Sequence, residues 1–198
     1  MIEIRIHGRG GQGAFVGSKI LAMAVFSEGK FVQAFPSFGV ERRGAPVTAF
    51  VRIDDKRIEL RSEIYAPNHL IILDRTLLNN PATFDGFNGE GWVLINTRRT
   101  PSELSKLKIL AGFRVATVDA NSIAALNKLG SAMSPIVDTA ILGAFCRITG
   151  LCSIDSIVEA IKKGVPIKPD ANAKAAQEAY SEVQFGGAAA PEAVGAEA

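Results

Sequence analysis

Gly8-Arg9-Gly10-Gly11-Gln12-Gly13 stands between an alternating apolar run, Ile2 to His7, and an amphipathic stretch that begins near Ala14. Without Cβ atoms, glycines reach positive φ and let backbone N–H groups converge. A helix starting at Ala14 adds its own unpaired donors and the positive end of its dipole. The guest this chemistry suits is a phosphate or pyrophosphate. Read as Gly8-x-Gly10-x-x-Gly13, the loop also fits the dinucleotide fingerprint, whose second half is an acidic residue about 20 positions later on the ribose hydroxyls. That half is missing here. The second strand, Phe31 to Phe35, ends in Pro36 and Ser37, and Glu28 comes too early, inside the helix. On the loop alone, NAD or FAD binding competes with a tight strand-to-helix turn that binds nothing.

A second segment with chemistry is Phe38-Gly39-Val40-Glu41-Arg42-Arg43-Gly44-Ala45-Pro46. Its glycines and proline impose an irregular backbone. Glu41 can pair with one guanidinium while the other faces a phosphate or carboxylate, because the planar fork makes bidentate contacts to either. The competing reading is a solvated turn with ordinary surface charges. Following the second strand, this loop emerges at the same sheet edge as the glycine loop, where ligands of open α/β sheets collect. Asp74 and Asp119 close later strands and line that edge, or cap the turns that follow.

The elements that must position these loops alternate between strand and helix. A helix is expected over Ala14 to Ser27, then a strand over Phe31 to Phe35. Two β-rich runs follow, Val47 to Ile53 and Arg57 to Arg61, and Asp54-Asp55-Lys56 between them reads as a hairpin turn. Leu70 to Leu73 is a continuous apolar run suited to a buried central strand, with further strands over Gly91 to Ile95 and Phe113 to Val118. Helices are expected over Ala120 to Leu129, Thr139 to Thr149, Ile154 to Lys163 and Ala171 to Val183. Asp138 is placed to cap the second of these and Ser153 or Ile154 to open the third. The expected class is α/β: a three-layer α/β/α domain over residues 1–184, with a mixed, mostly parallel sheet containing an antiparallel hairpin.

Composition bounds what such a domain can be. The 198 residues, 47% hydrophobic and 21% charged, suffice for one substantial core. A net charge of +2 is too small for a nucleic-acid surface. Arg42-Arg43, Arg57, Arg61 and Arg98-Arg99 fall near loops and strand ends, which suits local anion contacts. Glu3 and Arg5 interrupt the first apolar run, so no secretory signal is read. No stretch has the roughly 20 apolar residues a membrane span needs, so a cytoplasmic protein is expected. Cys146 and Cys152 have no CxxC spacing and no histidine nearby, so buried thiols are expected and a cluster held by this chain alone is not. His7 and His69 are isolated. Residues 185–198 offer almost no apolar anchor and read as a flexible tail.

His7 to Gly13, followed by Gln33-Ala34-Phe35-Pro36-Ser37-Phe38-Gly39-Val40-Glu41-Arg42-Arg43-Gly44-Ala45-Pro46, resembles the gamma subunit of 2-oxoacid:ferredoxin oxidoreductases, closest to the pyruvate type. Arg61-Ser62, Asp74 to Leu78, Asn96-Thr97, Val118-Asp119-Ala120 and Leu142-Gly143-Ala144 match as well, so the resemblance runs from Ile2 to Val183. It implies an oligomeric enzyme that oxidatively decarboxylates a 2-oxoacid, passes the acyl group to coenzyme A and sends electrons through iron–sulfur clusters to ferredoxin. Pyruvate is the expected 2-oxoacid, with branched-chain, 2-oxoglutarate and aryl substrates such as phenylglyoxylate as alternatives. An NAD acceptor reached through a flavin subunit is the alternative to ferredoxin. Thiamine diphosphate, Mg2+ and 4Fe–4S clusters are implied in the alpha, beta and ferredoxin-like delta subunits, none in this chain, which is expected to be inactive alone. Joined to the resemblance, the loop chemistry assigns coenzyme A contacts to Gly8, Gly10, Gly11, Gln12, Gly13, Glu41, Arg42, Arg43 and Gly44. The alternative outside this family is a free-standing nucleotide-binding protein.

Overall fold

The alternation that begins at Ile2 carries through to Arg9 and forms β1, the strand around which the sheet is organised. The computed structural model describes residues 1–37, 44–131 and 134–186. After the glycine loop come α1 (Ala14–Ser27), β2 (Phe31–Pro36), β3 (Pro46–Asp54), β4 (His69–Ile72) and β5 (Trp92–Asn96). These are followed by α2 (Pro101–Leu104), β6 (Arg114–Val118), α3 (Ala120–Leu126), β7 (Gly130–Ser131) and β8 (Ser134–Pro135). The chain then runs through α4 (Ala140–Thr149), α5 (Ile154–Gly164), α6 (Pro169–Glu182) and β9 (Gln184–Phe185).

The main sheet has the order β2-β3-β1-β4-β5-β6-β9. Strands β1, β2, β4, β5 and β6 point one way, and β3 and β9 run against them. This is the expected mixed, mostly parallel sheet. From β1 the chain crosses by α1 to β2, returns as β3 between the two, and then passes to β4 on the other side of β1. The carboxyl ends of β1 and β4 therefore flank the point where the topology reverses, the place where open α/β sheets bind ligands.

The antiparallel element differs from expectation. Arg57 to Arg61 forms no strand, because β3 is already paired on both edges, with β2 and with β1. With no edge left, residues 57–63 cross over the sheet instead. Their carbonyls accept from side chains beneath: half-buried Gln33 Nε2 donates to Ile58 O at 3.2 Å and buried Arg52 Nη2 to Ser62 O at 2.8 Å. The observed antiparallel pair is β2 with β3.

One face of the sheet presents Ile4, Ile6, Val51, Leu94, Ala116 and Val118 to α1 and α3–α6. The other presents Leu70, Ile72, Val93, Ile95 and Val115 to a thinner layer of α2 and the 3-10 turns Arg75–Asn79, Pro81–Phe84 and Lys108–Leu110. Each fully buried Ile, Leu or Val among them contributes about 1.5–3 kcal/mol, so both layers hold the sheet. The close approach of α4 to α6 requires Gly143, where any Cβ would overlap the Ala176 carbonyl. Helix α2 opens on a Thr100/Glu103 capping box. Helix α3 stops before Leu129 because Lys128 and Gly130 take positive φ. Phe185, expected in the tail, pairs with Ala116 and meets Trp92 edge-on at 6.0 Å. Residues 187–198 lie outside the described residues.

Candidate functional site

Arg9, the last residue of β1, ties the switch point together. Its Nε donates to Asp74 Oδ2 at 3.0 Å, Nη2 to Thr76 Oγ1 at 2.6 Å and Nη1 to Gly44 O at 3.0 Å. Gly10 N donates to Ala45 O and Gly44 N to Gly10 O, so the glycine loop and the start of β3 are stitched side by side. Gln12 folds back, its Oε1 accepting from Arg9 N at 2.7 Å. The structure thus brings Gly8, Gly10, Gly11, Gln12, Gly13 and Gly44 to one edge. The expected contacts of Glu41, Arg42 and Arg43 lie outside the described residues.

Within the loop each glycine has its own reason. Gly8 continues β1, where a Cβ would press on Leu73 Cδ1 at 3.1 Å. Gly11 takes φ 96° and faces open space, while Gly13 takes φ 78° as the N-cap of α1. Among the described residues the N–H groups of Gly11, Gly13, Ala14, Phe15 and Val16 find no acceptor. These are the orphan donors that make a helix N-terminus attractive to anions.

Beneath that terminus lies a carboxylate the sequence does not place there. Asp138, expected to cap α4, does not: Thr139 is the N-cap residue and has no side-chain cap bond. Asp138 Oδ1 accepts from Thr139 N at 2.9 Å, and its carboxylate lies where a Cβ on Gly13 would be. Burial, partly opposed by the Thr139 hydrogen bond, pushes its pKa up to about 6.

A cleft of about 510 Å³ crosses the carboxyl ends of β4, β5 and β6, and Gln12 of the glycine loop forms one wall. Asp74 and Asp119 line it, as expected, and both also cap, accepting from Thr76 N and Ser122 N. Burial alone would raise both carboxyls. The hydrogen bonds from Thr76 and from Ser122, with Arg9 and Arg98 as charged neighbours, outweigh it and hold them below the usual carboxylate range. Arg98 Nε lies 2.9 Å from Asp119 Oδ2, whereas Arg75 and Arg99, also lining the cleft, are exposed and have no ion pair among the described residues. With Arg9 alongside, four guanidinium groups face two carboxylates, so the cleft is net positive. Asn96 and Asn121 meet through Asn96 Nδ2 at 3.1 Å on its lining.

In the sequence Arg98-Arg99 stand out only as arginines near a strand end, and Arg75 only as part of the matching piece Asp74 to Leu78. The usable signal is position: each falls two or three residues beyond the carboxyl end of a parallel strand, Ile72 of β4 or Asn96 of β5. His7 is buried on β1 and His69 opens β4 at the opposite edge, where its Nδ1 accepts from Trp92 N at 3.1 Å. Neither lines the cleft. Cys146 and Cys152 are free and buried. Among the described residues no group of three His, Cys, Asp or Glu could hold a metal, and no helix is long and apolar enough to cross a membrane.

The buried groups fix a pH signature. Asp138, at about 6 in the fold against 3.8 unfolded, keeps its proton longer in the native state. Its contribution is therefore unfavourable as pH rises from 4 to 6, by on the order of 3 kcal/mol at neutrality. Burial, with Arg5 and Arg114 as charged neighbours, pushes His7 down to about 3 and His69 to about 4. Below pH 6.5 the unfolded chain takes up those protons first, so stability falls as pH drops. Between pH 6 and 4 Asp138 opposes this loss. In urea unfolding Asp138→Asn should be more stable than the parent at pH 7 and lose stability more steeply from pH 6 to 4. Parallel profiles would refute the buried-acid assignment.

Comparison with known proteins covers nearly the whole chain. Residues 3–182 match the family model for pyruvate ferredoxin/flavodoxin oxidoreductase. The pyruvate synthase subunit PorC of Methanocaldococcus jannaschii is 50% identical over 184 residues, 92% of this chain and 97% of that protein. The pyruvate/ketoisovalerate oxidoreductases common subunit gamma of Thermococcus kodakarensis is 52% identical over 183 residues, 91% and 96% of the two chains. The crystal structure of the pyruvate oxidoreductase subunit PORC (EC 1.2.7.1) of Thermotoga maritima superposes with a TM-score of 0.79 at 36% identity, covering 93% of this chain and 97% of that one.

Proposed function

The chain belongs to the pyruvate ferredoxin/flavodoxin oxidoreductase family and is a gamma-type subunit of a multi-subunit 2-oxoacid oxidoreductase, and from that premise we propose that it supplies the phosphate-binding wall of the coenzyme A site. The observation that carries this is the net-positive cleft across the carboxyl ends of β4, β5 and β6, lined by Arg75, Arg98 and Arg99 and walled on the side of the glycine loop by Gln12, with the orphan N–H groups of that loop at the same sheet edge. The complex would convert pyruvate to acetyl-CoA and CO2, with electrons leaving to ferredoxin.

Coenzyme A carries a 3′-phosphate and a pyrophosphate far from its reacting thiol. Anion contacts on this chain therefore act at a distance: they hold coenzyme A by its phosphates while its thiol reacts in another subunit, and that hold is the same in the ground state and the transition state. Gly11, with open space above it, lets a phosphate approach the backbone, and Gln12 stands between loop and cleft.

This chain's residues do not fit thiamine diphosphate with Mg2+ or a 4Fe–4S cluster. It has two cysteines, both buried, and no acidic or histidine cluster among the described residues. Those groups are assigned to the alpha, beta and delta subunits in the cytoplasmic complex, and this chain alone should be inactive. A relative of 52% identity is named a subunit common to pyruvate and ketoisovalerate oxidoreductases. That supports a gamma subunit that does not select the 2-oxoacid, and the branched-chain reading stays open on that account.

The test is the coenzyme A dependence of turnover in the assembled complex. Arg75→Ala should raise the KM for coenzyme A about tenfold, as loss of one charge-assisted hydrogen bond of about 1.5 kcal/mol implies, with kcat at saturation unchanged. An unmoved KM in a fully assembled complex would refute the phosphate-wall reading.

A further inference from the structure

Arg9 stands astride the switch point. It is the last residue of β1, opposite Pro46 at the start of β3 and two residues beyond His7, which pairs with Ile72 at the end of β4. From there its guanidinium reaches both neighbours. Nη1 donates to Gly44 O on the β3 side, while Nε and Nη2 donate to Asp74 Oδ2 and Thr76 Oγ1 on the β4 side. The single nitrogen of a lysine does not serve acceptors on opposite sides, whereas the planar fork directs separate N–H groups to each.

The carboxylate it holds is the one best placed to spoil an anion site. Asp74 lines the cleft beside Arg75. Its Oδ1 accepts from Thr76 N at 2.8 Å and from Thr76 Oγ1 at 2.6 Å. Its Oδ2 accepts from Arg9 Nε at 3.0 Å, and Gln12 Nε2 stands off at 3.5 Å. Asp74 and Thr76, bonded to each other and to Arg9, flank Arg75 and fix the turn that carries it. Arg75 itself forms no ion pair among the described residues. Without Arg9, Asp74 Oδ2 would keep only the long Gln12 contact. A carboxylate so released, next in sequence to Arg75, would draw that guanidinium to itself or repel an incoming phosphate.

We propose that Arg9 is a positioning residue of the anion site: by occupying Asp74 and pinning Gly44 O it leaves Arg75 free for a phosphate of coenzyme A. All three of its own nitrogens are engaged within the chain, so it acts through Arg75 and does not hold the phosphate. The inference rests on the phosphate-wall reading and names the residue on which Arg75 depends.

The experiment measures kcat and the KM for coenzyme A of the assembled complex across a double-mutant cycle. Arg9→Met should raise KM about tenfold with kcat at saturating coenzyme A unchanged, the same pattern as Arg75→Ala. Asp74→Asn in the Arg9→Met background should bring KM back to within about threefold of the parent, because asparagine still accepts from Thr76 N while the loose charge is gone. In the Arg75→Ala background, Arg9→Met should add less than about twofold, since the group it keeps free is already absent. If Arg9→Met does not assemble, Arg9→Lys replaces it and should raise KM about threefold or more, one nitrogen being unable to hold both sides. A parental KM in the Arg9 variant that assembles would overturn the proposal. So would a raised KM that Asp74→Asn fails to lower, or effects of the Arg9 and Arg75 variants that multiply. When Arg75→Ala raises KM and these arms fail, the phosphate wall stands and only the role of Arg9 falls; when Arg75→Ala leaves KM unmoved, both fall.

Discussion

Alanine at Gly13 should cost the chain about 3 kcal/mol or more and lower its Tm by roughly 10 °C. Two penalties coincide there. Gly13 holds φ 78°, a conformation that costs an L-residue about 1 kcal/mol. The new Cβ would also fall on the Asp138 carboxylate, and overpacking of this kind costs about 1–3 kcal/mol. Asp138 is held by the chain on both sides, with Gly17 packed against its carbonyl, so it cannot simply swing away. For a chain of this size each kcal/mol moves Tm by about 2–4 °C. The partner change separates the two penalties: Asp138→Ala should remove the clash but not the φ cost, so the double variant should recover most of the lost stability. Additive single effects, or a Gly13→Ala chain that melts with the parent, would remove the contact between the glycine loop and Asp138 as the cause.

Losing both Arg98 and Arg99 should raise the KM for coenzyme A about a hundredfold or more. Each guanidinium offered to a phosphate is worth about 1.5–3 kcal/mol. Arg98 has a second role, since it neutralises Asp119 at 2.9 Å. Its removal leaves that carboxylate facing the incoming phosphate, so Arg98→Ala alone should be worse than Arg99→Ala. Asp119→Asn in the Arg98→Ala background should restore part of the loss, because asparagine still caps α3 at Ser122 N while the unpaired charge is gone. Raised salt should weaken coenzyme A binding in the parent and less so in the double variant. A complex that assembles normally and shows the parental KM in the double variant and in both single arginine variants would place the phosphates elsewhere.

Much of the fold was legible along the chain. Helix α1 has its expected bounds, Ala14 to Ser27, and β4 its continuous apolar run, because periodicity and end signals are local properties of a segment. The hairpin expected over residues 47–61 was misread for the opposite reason. Its second run alternates as well as many strands do, but which run pairs with β3 depends on which edges are free, and β1 and β2 had taken both. The amphipathicity expected of α1 failed similarly: Phe15, Val16, Met23 and Phe26 stand exposed on its outer face, and which apolar face of a helix the fold covers is decided by its packing against other elements.

The site divides along the same line. Six consecutive residues, Gly8 to Gly13, were enough to announce a backbone that can receive an anion, since positive φ and a helix start are written in residue type alone, and the long loop motif was enough to point to the family. The cleft itself could not be read that way. Arg75, Arg98 and Asp119 follow three different strands, and Asp138 reaches the glycine loop from 125 positions beyond Gly13. They meet because parallel strands β1, β4, β5 and β6 deliver their carboxyl ends to one edge, and strand order is set by burial between segments distant in the chain, which no single stretch of residues records.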